Sequence, residues 1–164
     1  MTLVVPFDGS PLSKAALIRA AQFEQVFDIE LLVVTAIPRS NTAYARKCGW
    51  IESTDEYDET VIVEALTAMV HEIAPNATFT PEFVGRYAPA GSIGNALRRF
   101  ARQADASIVF VGSENAGRIA SSLSVGSAIA SERSYDTMIV SQVAPSKIET
   151  LETAVSTAEA TIEG

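Results

Sequence analysis

Five short apolar runs alternate with stretches of helical period, and this alternation predicts an α/β domain: a single doubly wound, parallel five-stranded sheet with helices on both faces. Two details support the parallel arrangement. The runs TLVVPF and ELLVVTAI are contiguously apolar rather than alternating, as strands covered on both faces are. The order β-α-β-α-β-α-β-α-β is the one that right-handed crossovers build.

Thr2 to Phe7 is the first expected strand, and it stops at Asp8-Gly9. Ser10 followed by Pro11 signals a helix start, because the serine oxygen can cap free N–H groups and proline is preset for the first helical position. Leu12, Ala15, Ala16, Arg19, Ala20 and Phe23 then follow at helical spacing. Glu30 to Ile37 is the second strand, closed by Pro38. The stretch SNTAYARKCGWIESTDEY has no clean period and reads as a long connection or a partly helical flap without a legible role. From Asp58 to Ile73, the residues Val61, Ile62, Ala65, Leu66, Met69 and Ile73 mark an amphipathic helix. His71 lies in it and reads as a structural surface or boundary residue.

Thr78 to Val84 is the third strand; Pro81 has no amide hydrogen for a ladder, which restricts this strand to a sheet edge. Gly91-Ser92 opens a helix with Ile93, Leu97, Phe100 and Ala101 on one face. Arg98, Arg99 and Arg102 on another face read as a solvated surface, with a phosphate site as the alternative. Ser107 to Val111 is the fourth strand, followed by the loop VGSENAGR, a helix over 124–134 and a last strand from Thr137 to Val143. After Pro145, the residues Ile148, Leu151, Val155, Ala158 and Ile162 make a short heptad seam that either docks or frays. The expected organisation is therefore one α/β domain over 1–144 and a C-terminal tail over 145–164, helical or frayed.

Composition removes several function classes. Twelve basic against twenty acidic residues leave a formal net charge of -8, without the clustered Lys and Arg that nucleic-acid phosphates require, so nucleic acid is not an expected partner. Lysine occurs only at Lys14, Lys47 and Lys147, a balance that suits high salt as well as plain solubility. No apolar run approaches the roughly 18 residues of a membrane helix. The opening MTLVVPFDGS also lacks the basic region and cleavage site of a secretory signal, so a cytoplasmic protein with no membrane partner is expected. One cysteine, Cys48, and one histidine, His71, provide neither an internal disulfide nor a zinc or iron–sulfur ligand set, and no protein-held metal is expected. Cys48 reads as an ordinary small side chain.

In an open parallel sheet, ligands bind beyond the carboxyl ends of the strands where strand order reverses. If the first and fourth strands are neighbours there, Asp8 faces Gly112. A carboxylate at a strand end can accept hydrogen bonds from a ribose hydroxyl, and glycines let backbone N–H groups approach phosphate oxygens. Gly126-Ser127 would then stand at a helix start, where free N–H groups and the macrodipole favour an anion. These residue types describe a nucleotide site, although a strand, a glycine turn and a helix also occur together with no ligand.

Three segments, VVPFDGSPLSKAAL, DASIVFVGS and VGSAIASERSYDTMIVSQ, resemble the universal stress protein A domain family over about residues 2–143. The resemblance implies a sheet ordered 3-2-1-4-5 and ATP, with or without Mg2+, as cofactor. It implies that Pro6 and Asp8 border adenine and ribose, that Ala36 meets adenine through its backbone, and that Val111 and Gly112 lie by adenine and ribose. It further implies that Gly117, Gly126, Ser127 and Ala128 hold phosphates. The loop departs from the family pattern: four residues separate Gly112 from Gly117 and eight separate Gly117 from Gly126, where the pattern has two and nine. Counted from Gly112, the pattern's next glycine falls on Asn115, a residue tolerant of a left-handed backbone. Glu114 puts a negative charge in the loop, which Arg118 could offset, or Arg118 could itself reach a phosphate.

The function that the resemblance implies is a regulatory module of stress response that binds an adenine nucleotide. The alternative is a dimeric, stress-related interaction protein that binds none. No catalytic residues are expected: there is no Walker lysine in the loop, since Lys14 lies in the first helix, and one histidine with one cysteine builds no convincing triad. Slow ATP hydrolysis through metal and water is the most that is implied. MIVSQV is apolar and would form an open edge, so a homodimer pairing the last strands is also expected.

Overall fold

The computed structural model describes residues 1–113 and 134–143. Nine elements lie in that range, and the five strands form one sheet ordered β3-β2-β1-β4-β5 in which every neighbouring pair is parallel. β1 (Thr2–Pro6) lies at the centre, with Val4 opposite Leu32 of β2 (Glu30–Pro38) and opposite Val109 of β4 (Ile108–Gly112). β3 (Thr78–Val84) pairs with β2 alone. Pro81 therefore stands on an edge strand, as its missing N–H predicts.

α1 (Pro11–Phe27) starts as its sequence signals: Ser10 is the N-cap in extended backbone, accepts from the Ser13 N–H at 3.3 Å, and Pro11 follows at the first helical position. It ends at Asp28, whose φ of 51° is the left-handed turn that closes many helices. α3 (Glu59–Ile73) is capped by the Asp58 carboxylate, which accepts from the N–H groups of Thr60 and Val61. α4 (Ala90–Gln103) begins after Pro89 without a side-chain cap.

Side chains alternate across each strand, so the sheet has two distinct faces. Leu3, Val5, Val33, Ile37 and Phe110 point to the face covered by α1 and α3. Val4, Val34, Ala36, Val109 and Val111 point to the face covered by Leu97 and Ala101 of α4. Fully burying a Leu, Ile or Phe side chain contributes about 1.5–3 kcal/mol. Phe110 is wholly buried and meets Phe23 of α1 edge-on, with ring centroids 5.2 Å apart.

The last strand is shorter than expected. β5 (Asp136–Val140) ends three residues before Val143: Val140 pairs with Gly112, the last residue of β4, and Ser141 to Val143 lie beyond the ladder. Arg19 of α1 instead donates to the Gln142 carbonyl at 2.9 Å. The unperiodic stretch after β2 contains a short helix, α2 (Thr42–Lys47), and then buries Trp50 and Ile51 in the α1–α3 core. The helix expected over 124–134, apart from Ser134 in a turn, and the tail over 145–164 lie outside the described residues. Among the described residues no helix is long and apolar enough to cross a membrane.

Candidate functional site

The strand order reverses between β1 and β4, which places the ends of these two strands side by side at the crevice where open parallel sheets bind ligands. The turn from β1 into α1 is held from several directions. The Phe7 N–H continues the ladder to the Val34 carbonyl at 2.8 Å, and the buried Thr35 hydroxyl donates to the Phe7 carbonyl at 2.6 Å. The Asp8 carboxylate accepts from the Ser10 N–H at 2.9 Å, and the Asp8 N–H donates to the Ser13 hydroxyl at 3.4 Å. Trp50 donates its indole N–H to the Asp8 carbonyl at 2.8 Å. Gly9 supplies the positive φ of 81° that lets the chain reverse.

Gly112, at the end of β4, is shaped by contact rather than by bonds. A Cβ built on it would stand 2.9 Å from the carbonyl carbon of Leu12 and 3.0 Å from its Cβ. The glycine is therefore required for α1 to pack across the end of β4, independently of any ligand.

Pro6, Ala36 and Val111 all lie toward the α4 face, and Ala36 is only 6% exposed. Pro6, Val109 and Val111 border an apolar groove completed by Leu97 and Arg98 of α4 and by Tyr135 and Thr137. The Thr137 hydroxyl is buried there without a hydrogen-bond partner among the described residues. Arg98 also donates to the Asn95 side chain, and Arg99 pairs with the half-buried Glu82 at 3.8 Å. Pro6, Asp8, Ala36, Val111 and Gly112 thus lie at adjacent strand ends or just beyond them, whereas Glu114, Asn115, Gly117, Arg118, Gly126, Ser127 and Ala128 lie outside the described residues.

Three contributors were missed by pattern reading. Ser13 and Thr35 are polar residues inside otherwise apolar helix and strand patterns, and both are buried to hold the turn. That interruption was the available signal. Trp50 offered a weaker one, a lone tryptophan after a glycine in a stretch without period. His71 bonds the Ala77 carbonyl through Nε2 at 3.1 Å, the structural role expected of it.

The sequence profile of the universal stress protein family matches residues 1–141. No curated protein matches the chain. Among solved structures, a universal stress protein in complex with cAMP is 23% identical, with 86% of this chain and 97% of that chain covered and a TM-score of 0.56. The universal stress protein from Archaeoglobus fulgidus is 15% identical, with 86% and 98% covered and a TM-score of 0.52. Universal stress protein UspA from Lactobacillus plantarum is 16% identical, with 86% and 97% covered and a TM-score of 0.52. These likenesses are of fold, and they agree with the sheet order and helix placement described above. By the profile match over residues 1–141, the chain belongs to the universal stress protein family.

Proposed function

We propose that the chain is a regulatory module of stress response that binds an adenine nucleotide, ATP with or without Mg2+, beyond the carboxyl ends of β1 and β4. The observation that carries this reading is the grouping of Pro6, Val111 and Gly112 at neighbouring strand ends beside Asp8, in a chain of this family. Apolar walls at Pro6, Ala36 and Val111 would take the base, and Asp8 would accept from ribose hydroxyls. Gly117, Gly126, Ser127 and Ala128 would hold phosphates, with Arg118 as a further contact. A relative of the same fold was crystallised with cAMP, which supports an adenine nucleotide as the ligand class. The nucleotide would supply a change of charge and shape that a partner protein can read.

Calorimetric titration of nucleotide-free protein with ATP, with and without Mg2+, tests the reading. Saturable heat in the wild type that is lost in Gly126→Val supports it, and a well-folded wild type without heat refutes it.

The open edge at β5 favours a second element of the proposal, a homodimer through the last strand. Ile139 is 58% exposed on a strand with one free side among the described residues. Ile139→Lys should weaken the dimer in sedimentation, and unchanged sedimentation of a dimeric wild type counts against this pairing. The close packing of Gly112 on Leu12 gives the glycine a purely structural reason to be there, and so favours, as the competing reading, a dimeric interaction protein without nucleotide.

A further inference from the structure

We propose that Trp50 is a positioning residue for the nucleotide site, acting through the backbone of Asp8; the inference rests on the functional reading above. Trp50 is 5% exposed and tilted against Tyr44, with ring centroids 5.6 Å apart, so the ring is buried as core. Its single polar atom is not spent on its own segment. It reaches across 42 residues of sequence to the Asp8 carbonyl.

The stretch that carries Trp50 is anchored at its start and cross-tied within itself. Asn41 caps α2 by accepting from the Tyr44 N–H at 3.0 Å and donates to the Arg86 carbonyl at 2.7 Å, tying the segment to the chain after β3. Gly49, with a φ of 75°, turns the backbone so that Trp50 enters the core. Arg46 donates to the Asp55 carbonyl at 2.8 Å, and the Asp55 carboxylate accepts from the Glu52 N–H at 3.0 Å, which stiffens the segment on either side of Trp50. The result is a braced strap that meets the site turn through one directional bond.

That bond acts on the peptide that orients Asp8. The Asp8 N–H is given to Ser13 and its carboxylate accepts from Ser10, so with Trp50 on the carbonyl the residue is held at three points. Removing the indole donor takes this bond from a partly buried carbonyl and loosens the hold on the peptide. The carboxylate then points less consistently at a ribose. A group that accepts from ribose hydroxyls discriminates nucleotides that have them from nucleotides that lack them.

Trp50→Phe keeps the ring and deletes the donor. ATP and its 2′,3′-dideoxy analogue would be titrated calorimetrically into the wild type, Trp50→Phe, Asp8→Ala and the double variant. Trp50→Phe should weaken ATP by about 5–10-fold and the dideoxy analogue by less than about 2-fold. The double variant should bind no more weakly than Asp8→Ala, because the two act through one contact. Equal losses for both nucleotides, or unchanged ATP binding, overturn the proposal while leaving the nucleotide site intact. A wild type that binds neither nucleotide overturns the underlying reading and this one with it. Should Trp50→Phe fail to fold, the fluorescence of the single tryptophan decides: it should shift on ATP titration in the wild type with the calorimetric midpoint, and a spectrum unchanged at saturation sinks the idea.

Discussion

The ends of β1 and β4 both meet the first turn of α1, yet opposite means hold them there. At the end of β1 the chain leaves the sheet and enters a helix within a few residues, and side chains from β2, α1 and the strap take up its exposed backbone groups. At the end of β4 the chain only passes beneath the helix, and what it supplies is the absence of a side chain at Gly112. A turning backbone exposes N–H and C=O groups that must find partners, whereas a packed crossing is limited by volume. One place in the fold therefore depends on distributed hydrogen bonds and its neighbour on a single missing methyl.

If that contrast holds, the steric side should be the more fragile. Gly112→Ala should lower stability by about 2–3 kcal/mol, since Leu12 backbone occupies the space and cannot rotate away. Chemical denaturation measures this, and a loss below that of the hydrogen-bond variants would reverse the comparison. Thr35→Val, which keeps shape and deletes the donor to Phe7, should cost about 1–2 kcal/mol by the same measurement. Ser13→Ala removes a buried hydroxyl that accepts from Asp8 and donates to the Ser10 carbonyl at 3.0 Å; about 1 kcal/mol is expected, the turn keeping its other bonds.

The smallest effect belongs to Tyr57, at the far end of the strap. Its hydroxyl is shielded and finds no partner of ordinary hydrogen-bond geometry among the described residues. Burial pushes the phenol above its usual range; Glu59 adds to this, while the Ser40 backbone and Arg39 oppose it. A raised folded-state value means that the unfolded chain loses this proton first. Its contribution is thus complete below the ordinary phenol range near pH 10 and declines as pH rises through the folded value. Tyr57→Phe should stay within about 0.5 kcal/mol of wild type near neutral pH, because only a poorly aligned contact with the Ser40 backbone is lost, and should flatten the alkaline decline. Denaturation curves at neutral and alkaline pH check both, and an unchanged alkaline slope would assign that decline to other groups.

The architecture was legible because its causes are local and repeated. Contiguous apolar runs mark TLVVPF and ELLVVTAI as strands covered on both sides, Ser10-Pro11 marks a helix start, and Pro81 marks an edge. The candidate site was legible in part. Asp8 and Gly112 could be singled out because they stand at or just past strand ends, Pro6 only through the family resemblance, and the structure brings the ends of β1 and β4 together. The Trp50 bond was not legible, since no period links position 50 to position 8 and only the folded strap brings them within 2.8 Å.

Residue order alone dictated where β1, β2, α1 and α3 lie and that α1 starts at Ser10-Pro11, because apolar period, caps and proline chemistry act over a few neighbours. Packing of distant segments had to supply the rest: that Gly112 answers to Leu12, that Thr35 and Trp50 hold successive carbonyls of one turn, and that β5 stops level with the end of β4. The physical reason is that steric fit and directional bonds between remote segments leave no regular spacing in the chain, and arise only when the sheet has brought its strand ends side by side.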